Sequence, residues 1–368
     1  MTTSRNVLRL LCGSTLFLAA IVTSAAAQVT PAAGYVPPDD TPAIRVGVTI
    51  FADYTVQDQP KTKDLDNNDV TFNAFNLGRA YINVTGNISH VIAFRVTPDI
   101  VRETGTNALN GSYALRIKYA YMQFNLDDWM ARGSWARLGV QQTPWVDFEE
   151  TVYRYRFQGT IFADREGYLS SSDVGGSFHY NLPGNYGDIH GGFYNGETYT
   201  KPELNDQKAF MVRGTFRPLR MHPVLRGMRL TGFYDHDAYV KNAERRRAVG
   251  AVTFEHPKLN AAFSYLSVTD QTRAALPEVD GSGFSFWATP RTAKGWEGLI
   301  RYDQLSPNHG DDSKKKRTLG GIAFWFPHQG TVSTALLFDV EQVNYDNFAP
   351  TPARPTERRF ALHGLVNF

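Results

Sequence analysis

Arginine recurs on one side of short alternating segments along this chain. Arg45, Arg79, Arg95, Arg116, Arg137, Arg213, Arg229, Arg247, Arg301 and Arg359, with Lys118, occupy polar positions between apolar ones. Asp53, Asp99, Asp188, Glu255, Glu297, Asp303, Asp339 and Glu341 share the same faces. A ladder of guanidiniums facing water attracts anions electrostatically. The run Arg79, Arg95, Arg116, Lys118 and Arg137 is interrupted only by Asp99. On neighbouring strands ~4.8 Å apart these residues would form one positive wall. The plainer alternative is that lumenal Arg and Asp pair across strands and set no selectivity.

A second charged group lies in the long segment 143–166. It holds Asp147, Glu149, Glu150, Asp164 and Glu166 against Arg154, Arg156 and Arg165, with no lysine. Loops this long in a compact domain usually carry function.

Catalytic chemistry finds little support. Cys12 lies in the N-terminal apolar run, and no other cysteine follows. Thiolate metal sites, disulfides and cysteine nucleophiles are therefore excluded after residue 27. The nine histidines show no metal-ligand spacing, and no glycine-rich phosphate loop follows a strand and opens a helix. His190-Gly-Gly-Phe-Tyr-Asn195 is faintly like the His and Asn of outer-membrane phospholipases. No serine lies between them to serve as a nucleophile. No metal and no cofactor is expected.

The elements that must carry these residues alternate at a period of two. Ile44, Val46, Val48 and Ile50 alternate with Arg45, Gly47, Thr49 and Phe51. Ala80, Ile82 and Val84 alternate with Arg79, Tyr81 and Asn83, and Leu115, Ile117, Tyr119 and Tyr121 with Arg116, Lys118 and Ala120. Each such segment is a strand with an apolar and a polar face. The pattern predicts strands near 44–54, 74–86, 90–100, 113–124, 134–142, 167–181, 186–195, 207–217, 227–235, 246–256, 258–268, 282–289, 295–305, 317–326, 331–341 and 358–368. Most are about ten residues long, the length a tilted strand needs to cross a bilayer. No segment carries a clear helical period.

Connections sort into two alternating classes. Short turns occur near 87–89, 183–185, 256–257 and 327–329. Long polar loops are predicted at 55–73, 101–112, 143–166, 196–206, 236–245, 269–281, 306–316 and 342–357. Short turns at one rim and long loops at the other describe a transmembrane barrel. Closure is forced because hydrocarbon leaves no partner for an open sheet edge. The fold class is thus all-β, a transmembrane antiparallel barrel of about sixteen strands. The mean hydropathy of −0.34 and 13% aromatic content fit one lipid-facing and one water-facing surface. Trp129, Trp135, Trp287, Trp296 and Trp325 are candidates for interfacial girdles.

The two ends add compartment signals. Arg5 and Arg9, the apolar run 10–22 and Ala25-Ala26-Ala27 read as a signal peptide over 1–27. Its removal takes two of the 38 basic residues and none of the 36 acidic, leaving a formal charge of zero. That balance argues against nucleic acid as a partner. Residues 28–43, with Pro31, Pro37, Pro38 and Pro42, read as an extended periplasmic leader, and 44–368 as the barrel. At the other end Phe360, Leu362, Gly364, Val366 and Phe368 share one face. An amphipathic last strand ending on an aromatic resembles the signal read by the barrel-assembly machinery of bacterial outer membranes.

Several blocks resemble the phosphate-selective porin O/P family: 77–84 (LGRAYINV), 119–124 (YAYMQF), 137–144 (RLGVQQTP), 193–197 (FYNGE) and 295–302 (GWEGLIRY). They are spread over most of the chain, and their order and spacing carry the likeness. The resemblance implies a sixteen-stranded barrel, usually trimeric, passing anions or other small solutes by diffusion. It implies a third external loop, here 143–166, that folds inward and narrows the pore. The missing lysine departs from the phosphate-specific members and turns the expectation away from phosphate selectivity, toward an acidic loop that faces the basic wall and sets a transverse field across the constriction. Outer-membrane lipid and lipopolysaccharide are expected partners. Lys314-Lys315-Lys316-Arg317 is read as a solvated loop tip. A non-channel barrel, adhesive or structural, is the alternative in another class; a soluble β-sandwich is a third.

Overall fold

A computed structural model describes residues 38–106, 109–328, 332–348 and 354–368. The signal segment 1–27 and most of the leader lie outside the described residues.

The strands run in chain order as β1 (Ala43–Lys63), β2 (Asp69–Asn87), β3 (Ile92–Arg102), β4 (Tyr113–Asn125), β5 (Trp135–Gln142), β6 (Ser172–Leu182), β7 (Gly187–Tyr194), β8 (Ala209–Phe216), β9 (Met228–Val240), β10 (Ala243–His256), β11 (Leu259–Asp270), β12 (Val279–Pro290), β13 (Trp296–Ser306), β14 (Lys314–Phe326), β15 (Ser333–Asp346) and β16 (Glu357–Asn367). Each pairs antiparallel with its neighbours, and β1 pairs with β16, so the sheet closes into a sixteen-stranded barrel. Every strand thereby has two partners, which is what hydrocarbon demands of its backbone. At the seam Val48 and Phe368 exchange backbone hydrogen bonds of 3.0 and 2.9 Å. Gly47 admits that approach, since a Cβ there would come within 2.5 Å of the Phe368 carbonyl oxygen.

The outer face is the apolar set: Ile44, Leu115, Phe193, Ile300, Phe338 and Leu362 are exposed. Phe360, Leu362, Val366 and Phe368 share this face on and just beyond β16. The inner face carries the charged set.

Local departures from the period-two reading have physical causes. Two long loops, 55–73 and 236–245, are instead continuations of strands. The β1–β2 ribbon runs on to a turn at Asp64–Asn68, where the Asp64 carboxylate accepts from the amides of Asp66 and Asn68. β9 and β10 meet at Lys241-Asn242, with Asn242 at φ 62°. Pairing satisfies these backbones above the hydrophobic band as well as within it. The Lys314–Arg317 run is not a loop tip; it opens β14, with Lys316 on Asp346 and with Lys315 and Arg317 turned inward.

A helix also breaks the all-strand expectation. The β5–β6 connection contains α1 (Pro144–Val152) and α2 (Phe162–Arg165). Pro144 suits a helix's first turn, where its missing N–H costs nothing. Trp145, Val146, Phe148, Glu149 and Val152 are buried along α1, a pattern too short to register as periodicity.

Candidate functional site

The segment between β5 and β6 sets the shape of the lumen. Trp145, Val146, Phe148, Val152, Tyr153, Tyr155, Ile161 and Phe162 are buried in one cluster with inward-facing Met211, Phe233, Leu266, Trp287, Leu299, Leu319 and Leu337. Trp145 lies 6.0 Å from the Phe233 ring, and Tyr153 lies 5.1 Å from Trp287. The segment therefore lies mainly against the inner wall of β8–β16, with Phe157 reaching across to Phe51 of β1, held by burial of apolar surface.

Polar contacts pin the same segment. The Asn260 amide donates to the Val152 carbonyl at 3.2 Å, and Arg301 donates to that of Thr160 at 2.8 Å. Glu297 accepts from Arg154 at 2.7 Å and from the Tyr155 hydroxyl at 2.9 Å. Glu341 holds Arg165 at 2.6 Å, Arg359 at 3.0 Å and Arg317 at 3.5 Å. Glu166 takes Lys315 and Arg317 at 2.7 and 2.6 Å.

The expected loop charges thus divide. Arg154, Arg165 and Glu166 point into the β13–β16 wall, and Glu149 is buried beneath α1. Burial pushes the Glu149 carboxyl up to about 7, against the pull of Arg301. Asp147, Glu150, Arg156 and Asp164 are partly exposed on the remaining side. Arg156 pairs with Glu150 at 2.5 Å. Burial and then Glu150 push the Asp164 carboxyl up to about 6, while Arg156, Lys118 and Arg79 pull it down.

Facing them is the wall of β1–β5. Arg79 and Arg116 both bind the buried Asp99, at 3.1 and 3.0 Å, so this trio keeps a surplus positive charge. Lys118 reaches the Tyr81 hydroxyl at 3.3 Å. Arg95 stacks 4.5 Å over Tyr119 and donates to Asn83 at 2.8 Å. Arg137 lies 3.6 Å over the Trp135 ring and 4.6 Å over Tyr121, donating to Gln123 at 2.8 Å. Among the described residues no carboxylate lies within ion-pair distance of Arg95, Lys118 or Arg137. Rings and amides hold these cations without cancelling their charge.

The other predicted basic residues are differently placed. Arg213 binds Asp188, Thr215 and the Pro144 carbonyl; Arg229 pairs with Glu255 at 2.5 Å; Arg301 pairs with Asp303 at 2.9 Å. All three face inward and are buried.

Cavities lie along β1–β8, one of them reaching round to β16. One of about 230 Å³ is bordered by Arg45, Arg95, Tyr121 and Gln123 near the rim that holds the chain ends. A small one of about 70 Å³ lies between Arg137, Asp147 and Arg213. A third, of about 390 Å³, lies toward the opposite rim between Arg79, Phe72 and Arg156.

No family model matches this chain, and no curated protein does. Solved structures do. The chain is similar to an anion-selective porin from Comamonas acidovorans, with a TM-score of 0.62 at 10% identity, over 89% of this chain and 100% of that one. The outer-membrane channel DcaP of Acinetobacter baumannii matches with a TM-score of 0.56 at 9% identity, over 90% and 99%. OmpT, an outer membrane protein of Vibrio cholerae in trimer form, gives 0.57 at 9% identity over 89% and 100%. The fold is that of the outer-membrane porins. The likeness to the phosphate-selective branch rests on the short blocks named above.

Relative to that porin fold, three of the five candidate girdle tryptophans are misassigned. Trp135, Trp287 and Trp325 face the lumen, where they meet Arg137, Tyr153 and Arg154; Trp129 and Trp296 are exposed. Sequence reasoning also missed the lumenal Tyr119 and Tyr121, displaced by a bulge, and the apolar inner wall. Leu299, Leu319 and Leu337 sit in register with charged lumenal residues, and that mixture is the signal that something apolar covers them.

Proposed function

We propose that this protein is a bacterial outer-membrane porin through which small hydrophilic solutes, anions in preference, pass by diffusion. The observation that carries the reading is the asymmetry of the lumen. The docked segment fills the β8–β16 side, while the β1–β5 side presents Arg79, Arg95, Arg116 and Arg137, with Lys118 buried among them. Across from that wall stand Asp147, Glu150 and Asp164, with Arg156. Fixed charges of opposite sign across a narrow passage orient a permeating ion, and the surplus on the wall favours anions.

The remaining expectations belong to the same reading. The N-terminal segment directs export and is removed near Ala27, and the barrel resides in the outer membrane among lipid and lipopolysaccharide. The last strand with Phe368 is the assembly signal. Homotrimer formation is supported by the trimer form of a structural relative. No catalytic step is assigned: the Ser177 hydroxyl gives its proton to Gln141 at 2.5 Å, so across the 3.4 Å contact with His190 Nε2 it can only accept.

The same docked segment favours a second reading, a barrel closed to solutes with a structural or adhesive role. Swelling of proteoliposomes in isosmotic solutes separates the two. A pore admits small solutes and sorts equal-sized ones by charge, anions fastest; a closed barrel leaves the vesicles unswollen in every solute.

A further inference from the structure

The cavity of about 390 Å³ near the loop-bearing rim combines two chemistries. Phe51, Phe72 and Phe157 supply rings, and Arg79, Arg156 and Arg359 supply guanidiniums. Phe72 is inward-facing yet 47% exposed, an apolar ring left open to the water of the lumen. Phe51 and Phe157 lie 6.5 Å apart at 51°, forming a tilted aromatic floor. The Nε atom of Arg359 is buried without a hydrogen-bond partner, while that of Arg156 lies 2.5 Å from the Glu150 carboxylate. The cavity's one carboxylate, Asp53, is already satisfied by Asn76 at 2.9 Å and Thr55 at 2.7 Å. Three guanidiniums thus face the cavity against one carboxylate, each guanidinium held from behind by a carboxylate outside the lining: Asp99, Glu150 and Glu341.

We propose that this cavity is a binding subsite for small aromatic carboxylates. The ring would stack among Phe51, Phe72 and Phe157, and the carboxylate would meet the fork of Arg156 or Arg359, which suits planar oxyanions. Inorganic phosphate or acetate would gain the charge contact alone. A neutral aromatic would gain the ring contact alone. The inference rests on the porin reading only for its role in transport; the subsite itself is testable as equilibrium binding.

The test is titration calorimetry of the detergent-folded barrel with benzoate, acetate, phosphate and benzyl alcohol. Benzoate is expected to bind at least about tenfold more tightly than the other three. The exposed Phe72→Ala variant is expected to lose about five- to tenfold in benzoate affinity while retaining its folded, heat-modifiable mobility. Arg359→Gln should weaken benzoate and leave benzyl alcohol unchanged. Equal affinity for benzoate and acetate, or benzoate binding indifferent to Phe72→Ala, would overturn the proposal. A barrel that binds benzoate yet conducts nothing would sink the porin reading and leave the subsite standing.

Discussion

Lys118 and Tyr119, adjacent in sequence, both point into the lumen. Thr97 of β3 opposes Tyr119 while the next residue, Pro98, opposes Ile117, so Lys118 is the extra residue of a β-bulge. Pro98 lacks the N–H that regular pairing needs, and bulges are where a sheet accommodates this. The bulge reverses the facing of β4. Below it Tyr119 and Tyr121 become lumenal and carry Arg95 and Arg137 on their rings.

Lys118 stands where the basic wall meets Glu150 and Arg156, so its charge should weigh heavily on selectivity. Lys118 is buried, so Lys118→Glu reverses one charge in the wall directly behind the passage. Unit charges interact by about 1 kcal/mol at 4 Å in water. The anion-over-cation permeability ratio is expected to fall about fivefold or more, read as a shifted reversal potential. Lys118→Met should fall between wild type and Lys118→Glu.

Glu149 lies in α1, outside the membrane-spanning strands, and predicts a pH dependence. Its carboxyl is raised from the usual 4.5 to about 7 by burial. The native state then holds a proton that the unfolded chain releases. Stability therefore falls as pH rises through the window from about 4.5 to 7 and levels off above it. The full effect is up to about 3 kcal/mol. Glu149→Gln should flatten this window, measured as the temperature of heat modification at pH 5 and pH 8.

Glu341 gathers Arg165 from the docked segment and Arg317 and Arg359 from the wall. Glu341→Ala leaves three guanidiniums without that counter-charge, a loss on the order of 3–5 kcal/mol for a buried pair broken on one side. The segment is expected to loosen, lowering the heat-modification temperature and adding current noise in bilayers. Glu341→Gln, which keeps acceptor capacity toward Arg165, should show the smaller effect.

Phe368 closes the seam with Val48 and ends the exposed face of β16. Deleting Phe368 should reduce the amount of barrel in the outer membrane severalfold in growing cells. Refolding of the same variant from urea into detergent should be little changed. Equal losses in both settings would assign Phe368 to stability in place of assembly.

Barrel class and strand order were legible because lipid imposes a strict alternation on every strand. Ile44 to Ala52 and Phe360 to Phe368 show it in almost every residue. What escaped came from forces that period two does not report. The β4 bulge depends on Pro98 in the neighbouring strand, and nothing in β4 itself marks it. Trp287 and Trp325 resembled girdle residues because only their burial against Tyr153 and Tyr155 reveals the inner surface. The helix α1 hid in a segment nine residues long, its only local sign being Thr143-Pro144. The charges of 143–166 were visible as a group. Which of them face the open side depends on partners 130 or more residues away, such as Glu297 and Glu341.

The most direct test of the account is the reversal potential of the purified protein in planar bilayers under a potassium chloride gradient. A water-filled passage along the β1–β5 wall predicts discrete conductance steps and a reversal potential of the sign that favours chloride. A folded, heat-modifiable barrel that gives no steps, or one whose potential favours potassium, would contradict it.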